Sequence, residues 1–126
     1  METIKIGIFG LRRGSTFIDS IKVCNGEIVA VCEKDEKLIA EVKNDLPKNT
    51  VFFTDFDSFI AHPMDCVLLA NFFHEHTPYA IRCLEKGIHV LSECTASSTL
   101  AECVALARTA RNSNAKYMLA ENYPFM

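Results

Sequence analysis

The first residues that could do chemistry follow an apolar run near the start of the chain, and they suit a phosphate: Gly10, Leu11, Arg12, Arg13, Gly14 and Ser15. A glycine-bearing turn between a strand and a helix presents backbone N–H groups and a helix N-terminus to a pyrophosphate. Arg12 and Ser15 stand where the G-x-G-x-x-G pattern has its second and third glycines. We expect residues 10–13 to hold the pyrophosphate, with Gly14 loosening the turn and the arginines adding charge. The alternative is an ordinary tight turn with solvated arginines.

Glu33 follows the second apolar run and is the candidate for contacting an adenosine ribose. A carboxylate at the end of the second strand of a dinucleotide-binding unit accepts hydrogen bonds from the ribose hydroxyls and repels a 2′-phosphate. We therefore predict NAD as the cofactor, with NADP less favoured. Lys34 beside the carboxylate weakens that preference. The alternative is that Glu33 only begins a solvated loop.

Polar and aromatic residues follow the fourth and fifth apolar runs, where the nicotinamide half of a dinucleotide would lie. They are Asn71, Phe72, Phe73, His74, Glu75 and His76 after the fourth run, and Glu93 and Cys94 after the fifth. We assign Asn71, Phe72, His76 and Glu93 to the nicotinamide half. Two histidines spaced i, i+2 are weak evidence for a metal site, which needs further ligands, so we expect no metal.

Six cysteines are present, and none of them forms a C-x-x-C pair. Most lie in apolar runs, so we expect buried, reduced thiols that pack as small hydrophobic residues. Cys94 is the one that could be reactive, if a helix starting nearby lowered the pKa of its thiol.

Apolar runs typical of strands alternate with segments of helical periodicity along the whole chain. The predicted strands cover residues 4–9, 27–32, 51–53, 65–70, 88–92 and 116–120. The predicted helices cover about 14–23, 35–45, 55–61 and 76–86, and the last begins at Ser98 or Thr99 with Leu100, Val104, Leu106 and Ala107 facing inward. This alternation favours an α/β fold with a doubly wound parallel sheet, the Rossmann fold, in strand order 3-2-1-4-5-6. Its ligand would lie beyond the carboxyl ends of strands 1 and 4.

The composition is that of a soluble globular protein, with 49% hydrophobic and 23% charged residues in a chain of 126. A net charge of −3 attracts neither nucleic acid nor an anionic membrane. The sequence contains no apolar run of membrane-spanning length and no signal peptide, so we expect a cytoplasmic protein. We expect one domain over residues 1–120, with residues 121–126 starting a connection to a C-terminal substrate domain.

The segment from Gly87 to Glu93 resembles the G-x-H-V-x-x-E-K-P segment of the glucose–fructose oxidoreductase / inositol dehydrogenase / MocA family. The Gly10 turn, the strand ending at Glu33, the segment from Asp55 to Phe59, and His76 followed by Ala80 agree with that family in order and spacing. Ala120, Glu121, Asn122 and Tyr123 resemble the join to its second domain.

The resemblance implies an NAD(P)-binding domain of an oxidoreductase that transfers hydride between a nicotinamide and a sugar- or polyol-like substrate. The family's lysine after the motif glutamate is Cys94 here, its proline is Thr95, and its Thr-Pro pair after strand 4 is Asn71-Phe72. We therefore assign no catalytic residue and expect this chain to be catalytically incomplete by itself. The alternatives are a non-catalytic NAD-binding or sensing module, or an NAD-dependent lyase or glycosidase.

Aromatic residues beside the cleft and at the end of the chain also predict association between copies. Phe72, Phe73, Tyr123 and Phe125 would be partly exposed without a covering domain. Exposed apolar patches favour self-association, so we expect a homo-oligomer.

Overall fold

The computed structural model describes residues 1–125, and within them six parallel strands form one sheet. The strands are β1 Ile4–Phe9, β2 Gly26–Cys32, β3 Val51–Phe53, β4 Cys66–Leu69, β5 His89–Ser92 and β6 Tyr117–Leu119. Their order in the sheet is β3-β2-β1-β4-β5-β6. The predicted α/β class, the doubly wound parallel sheet and the strand order are confirmed.

Among the same residues, six α-helices connect the strands: α1 Leu11–Gly14, α2 Ile18–Val23, α3 Glu36–Val42, α4 Phe56–Ala61, α5 His76–Glu85 and α6 Leu100–Asn112. Side-chain caps fix where three of them begin, because Asp35, Asp55 and Thr99 accept hydrogen bonds from first-turn N–H groups of α3, α4 and α6. Gly87 follows α5 with a φ of 76°, the left-handed conformation typical of a C′ glycine. None of the helices in the described residues is long and apolar enough to cross a membrane.

Helices cover both faces of the sheet, so its central strands are buried on both sides. Phe59, Leu84 and Val67 belong to one apolar cluster, which α4, α5 and α6 share with the sheet. Ile8, Ile18 and Leu68 belong to the other, which lies against α1 and α2. Val67 and Leu68 alternate between the two clusters, as successive residues of a strand must. This explains why β4 is apolar throughout, as a strand buried on both faces should be.

The structure differs from the prediction at the last helix. Leu106 of α6 is buried, as expected, but Leu100 and Val104 are 80% and 41% exposed and Ala107 is exposed. The prediction that these three side chains face inward was wrong. Apolar residues occur on two faces of this helix, and packing against α5 and the sheet buries only the face that contains Leu106.

The first helix also differs, because it begins at Leu11 rather than near residue 14 and is separated from α2 by a 3₁₀ turn, Ser15–Phe17. Gly14 is buried and helical, with φ −60° and ψ −31°, so it does not loosen the turn. A Cβ atom at Gly14 would lie 2.5 Å from Cγ2 of Ile8. Gly14 therefore lets the helix pack closely on β1, which is the function of the third glycine in the G-x-G-x-x-G pattern.

This contact predicts a specific coupling between Gly14 and Ile8. We expect Gly14→Ala to lower the free energy of unfolding by about 1–3 kcal/mol, because the added methyl group overpacks the contact with Ile8. The loss should shrink in an Ile8→Ala background, where the clashing atom is gone. Urea denaturation of both single variants and the double variant measures the coupling. Ser20→Ala on the exposed face of α2 is the control, expected within about 0.5 kcal/mol of the wild type. An equal cost in both backgrounds would contradict the packing explanation.

Candidate cofactor-binding site

The turn after β1 lies directly against the carboxyl end of β4. Gly10 has a φ of 92°, and a Cβ atom on it would lie 2.7 Å from both the carbonyl oxygen of Ala70 and the backbone nitrogen of Asn71. Only glycine adopts this backbone conformation without strain and also leaves room for so close an approach. The first turn of α1 therefore opens at the point where the sheet order reverses, which is where doubly wound sheets bind ligands.

Glu33 connects the end of β2 to this turn. Its Oε2 accepts a hydrogen bond from the backbone N–H of Leu11 at 2.9 Å. Its Oε1 accepts from the N–H groups of Lys34 and Asp35 at 2.8 and 3.0 Å. A carboxylate has about four acceptor positions, so Glu33 retains capacity for a further donor such as a hydroxyl. A Glu33 that only began a solvated loop would not make this hydrogen bond with Leu11.

The two arginines of the turn differ in their surroundings. Arg12 is exposed, and no hydrogen-bond or ion-pair partner for its side chain occurs among residues 1–125. Nε of Arg13 donates to Oε2 of Glu93 at 3.0 Å, and its guanidinium lies 5.5 Å from the centre of the Phe17 ring. The hydrogen bond with Glu93 and its negative charge raise the pKa of Arg13.

His76 is buried between the segments that follow β4 and β5. Its side chain is 1% exposed, with Nδ1 3.0 Å from the carbonyl oxygen of Thr95 and Nε2 3.1 Å from that of Asn71. The ring therefore joins the two segments and holds the backbone of Asn71. A neutral imidazole donates to one of these two carbonyl oxygens, and both ring nitrogens lie against backbone, so His76 is buried beneath the segments that follow β4 and β5.

Asn71 carries the clearest unsatisfied polar group of the site. Both Oδ1 and Nδ2 of its side chain are buried and lack a hydrogen-bond partner within residues 1–125. A buried amide without partners is costly, and such groups often mark a place where a ligand or water binds. The amide can accept from one group and donate to another, which suits a hydroxyl or a carboxamide.

The segment after Asn71 is aromatic and exposed. Phe72 and Phe73 are 72% and 63% exposed, and the His74 ring stacks on Phe72 with centroids 6.1 Å apart. Tyr123 is exposed as well, while the side chain of Phe125 lies outside what the structure describes. Among residues 1–125, no three His, Cys, Asp or Glu side chains come together as a metal site requires.

Cys94 donates a hydrogen bond from its thiol to Oε2 of Glu121 at 3.0 Å. This hydrogen bond, together with the nearby carboxylates, raises the pKa of the Cys94 thiol. The pKa of Glu121 is lowered, first by the N–H of Tyr123 and then by the thiol. Cys94 is therefore a protonated hydrogen-bond donor at neutral pH rather than a nucleophilic thiolate.

All six cysteines are free, but their burial varies more than the sequence predicted. Cys32 and Cys83 are buried, and desolvation raises their pKa values to about 11 and about 12. Cys66 is half-buried, and desolvation raises its pKa to about 11. Cys24 and Cys103 are exposed, so the expectation of burial was wrong for these two.

Sequence reasoning missed three contacts of this site: Leu11 with Glu33, Arg13 with Glu93, and Cys94 with Glu121. Each joins residues from different strand ends, so no local spacing indicates them. Glu121 itself was named only as part of the join after β6.

The fold and the site together define a dinucleotide-binding Rossmann domain. The sequence also matches the profile of the oxidoreductase family with an NAD-binding Rossmann fold over residues 4–121. The chain belongs to this family, which is the glucose–fructose oxidoreductase / inositol dehydrogenase / MocA family that its motifs resemble.

The curated relatives include a glycosyl hydrolase family 109 protein of Shewanella putrefaciens, which is 26% identical over 97% of this chain. This chain spans 29% of that relative's length. The scyllo-inositol dehydrogenase of Lactobacillus casei, solved with NAD(H) and scyllo-inositol, aligns with a TM-score of 0.87 and 25% identity over 99% of this chain and 38% of that one. The WlbA dehydrogenase of Bordetella pertussis, solved with NADH and UDP-GlcNAcA, has the same fold, with a TM-score of 0.84 and 18% identity over 94% of this chain and 37% of that one.

The Cys94–Glu121 hydrogen bond predicts how Cys94 reacts with alkylating agents. We expect slow alkylation by iodoacetamide at neutral pH, because the carboxylate holds the thiol pKa above its usual range. Glu121→Gln removes that negative charge, so the pKa should fall and the pH–rate profile of Cys94 should shift to lower pH. Mass spectrometry of the Cys94 peptide after timed alkylation measures the rate.

Exposed Cys24 serves as the internal control, and Glu75→Gln is the matched control for charge. The alkylation rate of Cys24 should be the same in every variant, and Glu75→Gln should leave the pH–rate profile of Cys94 unchanged. A profile that stays unchanged in Glu121→Gln would show that Glu121 does not control this thiol.

Proposed function

We propose that this chain binds NAD across the carboxyl ends of β2, β1, β4 and β5 as the cofactor domain of an oxidoreductase. Its substrate would be a sugar or polyol, with hydride moving between the nicotinamide and a carbinol carbon. The hydrogen bond from the N–H of Leu11 to Glu33 carries the proposal, because it holds a carboxylate beside the turn at which the phosphates would bind. When bound, NAD supplies the hydride-accepting ring, and the protein supplies orientation and electrostatics.

The pyrophosphate would lie at the turn formed by Gly10, Leu11, Arg12 and Arg13. The N–H of Leu11 donates to Glu33, so the first-turn N–H groups of Arg12 and Arg13 would be the ones that serve the pyrophosphate. Arg12 and Arg13 add positive charge at the same turn. Glu33 would accept the adenosine ribose hydroxyls with its remaining lone pairs and would repel a 2′-phosphate, which favours NAD over NADP.

The nicotinamide half would lie over Asn71, Phe72 and Glu93. The unpartnered amide of Asn71 would pair with a group that both donates and accepts, such as a ribose hydroxyl or the nicotinamide carboxamide. His76 would act as a positioning residue, because it holds the backbone of Asn71 without exposing a ring nitrogen. Residues 121–126 would lead into a substrate domain like that of the longer relatives.

Two observations favour second candidates. Cys94 stands where the family's motif has a lysine, and its thiol is hydrogen-bonded to Glu121, which favours a non-catalytic NAD-binding or sensing module. The names of the curated relatives favour an NAD-dependent glycosidase that acts on a sugar. All three functions share the NAD site, and only the dehydrogenase would accumulate NADH. Association of copies through exposed Phe72, Phe73 and Tyr123 is part of the proposal.

Calorimetric titration with NAD and NADP tests the cofactor site. We expect the wild type to bind NAD more tightly than NADP. In Glu33→Gln the amide oxygen can still accept from Leu11, but the charge that repels the 2′-phosphate is lost. The preference for NAD should therefore fall by about tenfold, which corresponds to about 1.4 kcal/mol.

Glu36→Gln, at an exposed carboxylate on α3, is the control and should leave the ratio unchanged. Equal binding of NAD and NADP by the wild type would refute the assignment of Glu33. Absence of binding to either would refute the phosphate site.

The surroundings of Cys94 predict that the purified 126-residue chain does not oxidise sugars by itself. With NAD and scyllo-inositol or glucose, we expect no NADH above the level without substrate, because no base stands at the position of the family's lysine. Absorbance of NADH measures the reaction, and myo-inositol dehydrogenase serves as the positive control. Substrate-dependent NADH formation would show that the described residues contain a complete catalytic set.

A further inference from the structure

The ion pair between Arg13 and Glu93 crosses the proposed cofactor crevice. Arg13 lies in α1 directly after β1, and Glu93 directly follows β5. The strand order β1-β4-β5 places β4 between them. Neighbouring strands are about 4.8 Å apart, so the pair spans roughly 10 Å of the sheet's carboxyl edge. It therefore passes over the end of β4, where Asn71 carries its unpartnered amide.

Arg13 has donors left for a second partner. A guanidinium carries five N–H donors, and only the one on Nε is used by Glu93. The two terminal nitrogens have no hydrogen-bond partner within residues 1–125. The side chain is 52% exposed, so an anion in the crevice can reach it.

Glu93 depends on Arg13 for its charge partner. Its side chain is only 16% exposed, and Arg13 is the one cation that pairs with it in the described part of the chain. The residue that follows is Cys94, whose protonated thiol bonds to Glu121 instead. Removing Arg13 from Glu93 therefore leaves a carboxylate at the crevice with unused acceptor positions.

We propose that Arg13 is shared between two competing anions, the Glu93 carboxylate and the diphosphate of the dinucleotide. Glu93 holds the guanidinium across the crevice in the free domain. A diphosphate at the Gly10 turn takes it over, and the released Glu93 becomes an acceptor for a hydroxyl of the ligand. The exchange is favourable because a guanidinium–phosphate contact can be bidentate, whereas the pair with Glu93 uses one N–H and is partly exposed. This inference rests on the proposed NAD site.

The exchange makes Glu93 a competitor of the cofactor, and ADP is the probe that isolates the diphosphate. We expect Glu93→Gln to bind ADP about two- to fivefold more tightly than the wild type, the range that one partly exposed ion pair allows. Arg13→Gln should bind ADP about tenfold more weakly, because a charge-assisted contact to phosphate is lost. In the Arg13→Gln background, Glu93→Gln should bring no gain.

Two further variants separate the exchange from a general effect of charge. Glu93→Asp keeps the negative charge but shortens the side chain, so it should also tighten ADP binding. Arg12→Gln removes the neighbouring arginine, which has no ion pair among residues 1–125, and the gain from Glu93→Gln should persist in that background. Calorimetric titration gives the affinities, and circular dichroism confirms that each variant is folded.

The outcomes distinguish this inference from the proposed function. A gain from Glu93→Gln that persists without Arg13, or no gain at all while ADP and NAD bind normally, would overturn the exchange and leave the NAD site intact. A wild type that binds neither ADP nor NAD would overturn both.

Discussion

The close approach of the β1–α1 turn to the end of β4 is the constraint on which the rest of the site depends. No side chain fits between Gly10 and the backbone of Asn71, and none fits between Gly14 and Ile8. These two glycines bring α1 down onto the sheet and start it at Leu11. The N–H of Leu11 can then meet Glu33, and Arg13 can reach across β4 to Glu93. A larger residue at either glycine would lift the helix and separate these partners.

The carboxylates around the crevice are each matched to a donor from another part of the chain. Glu33 accepts backbone N–H groups, Glu93 accepts a guanidinium, and Glu121 accepts the thiol of Cys94. Asn71 is the exception, since its buried amide has no partner among the described residues. A buried amide without partners costs free energy that a polar ligand bound there can recover.

Membership of the oxidoreductase family defines the cofactor class, and two departures set this chain apart within it. Cys94 replaces a lysine and is held as a neutral thiol, so the positive charge next to Glu93 comes from Arg13 instead. Asn71 replaces a threonine and adds an amide that can both donate and accept. In the proposed site, both changes would lie on the nicotinamide side, away from Glu33 on the adenosine side.

The sequence by itself determined the fold class and the strand order, and it predicted the segments in which the site residues would lie. This was possible because alternating apolar runs and turn residues are local signals, and right-handed parallel crossovers leave few topologies. The start of the last helix at Ser98 or Thr99 was predicted for the same reason. Only the tertiary structure decided which face of α6 is buried, and that Gly14 packs against Ile8 rather than loosening the turn. It also decided that His76 is buried beneath the segments that follow β4 and β5. It also decided the partners of Arg13, Glu33 and Cys94, because a contact between the ends of different strands depends on how the sheet and helices pack and leaves no spacing in the sequence.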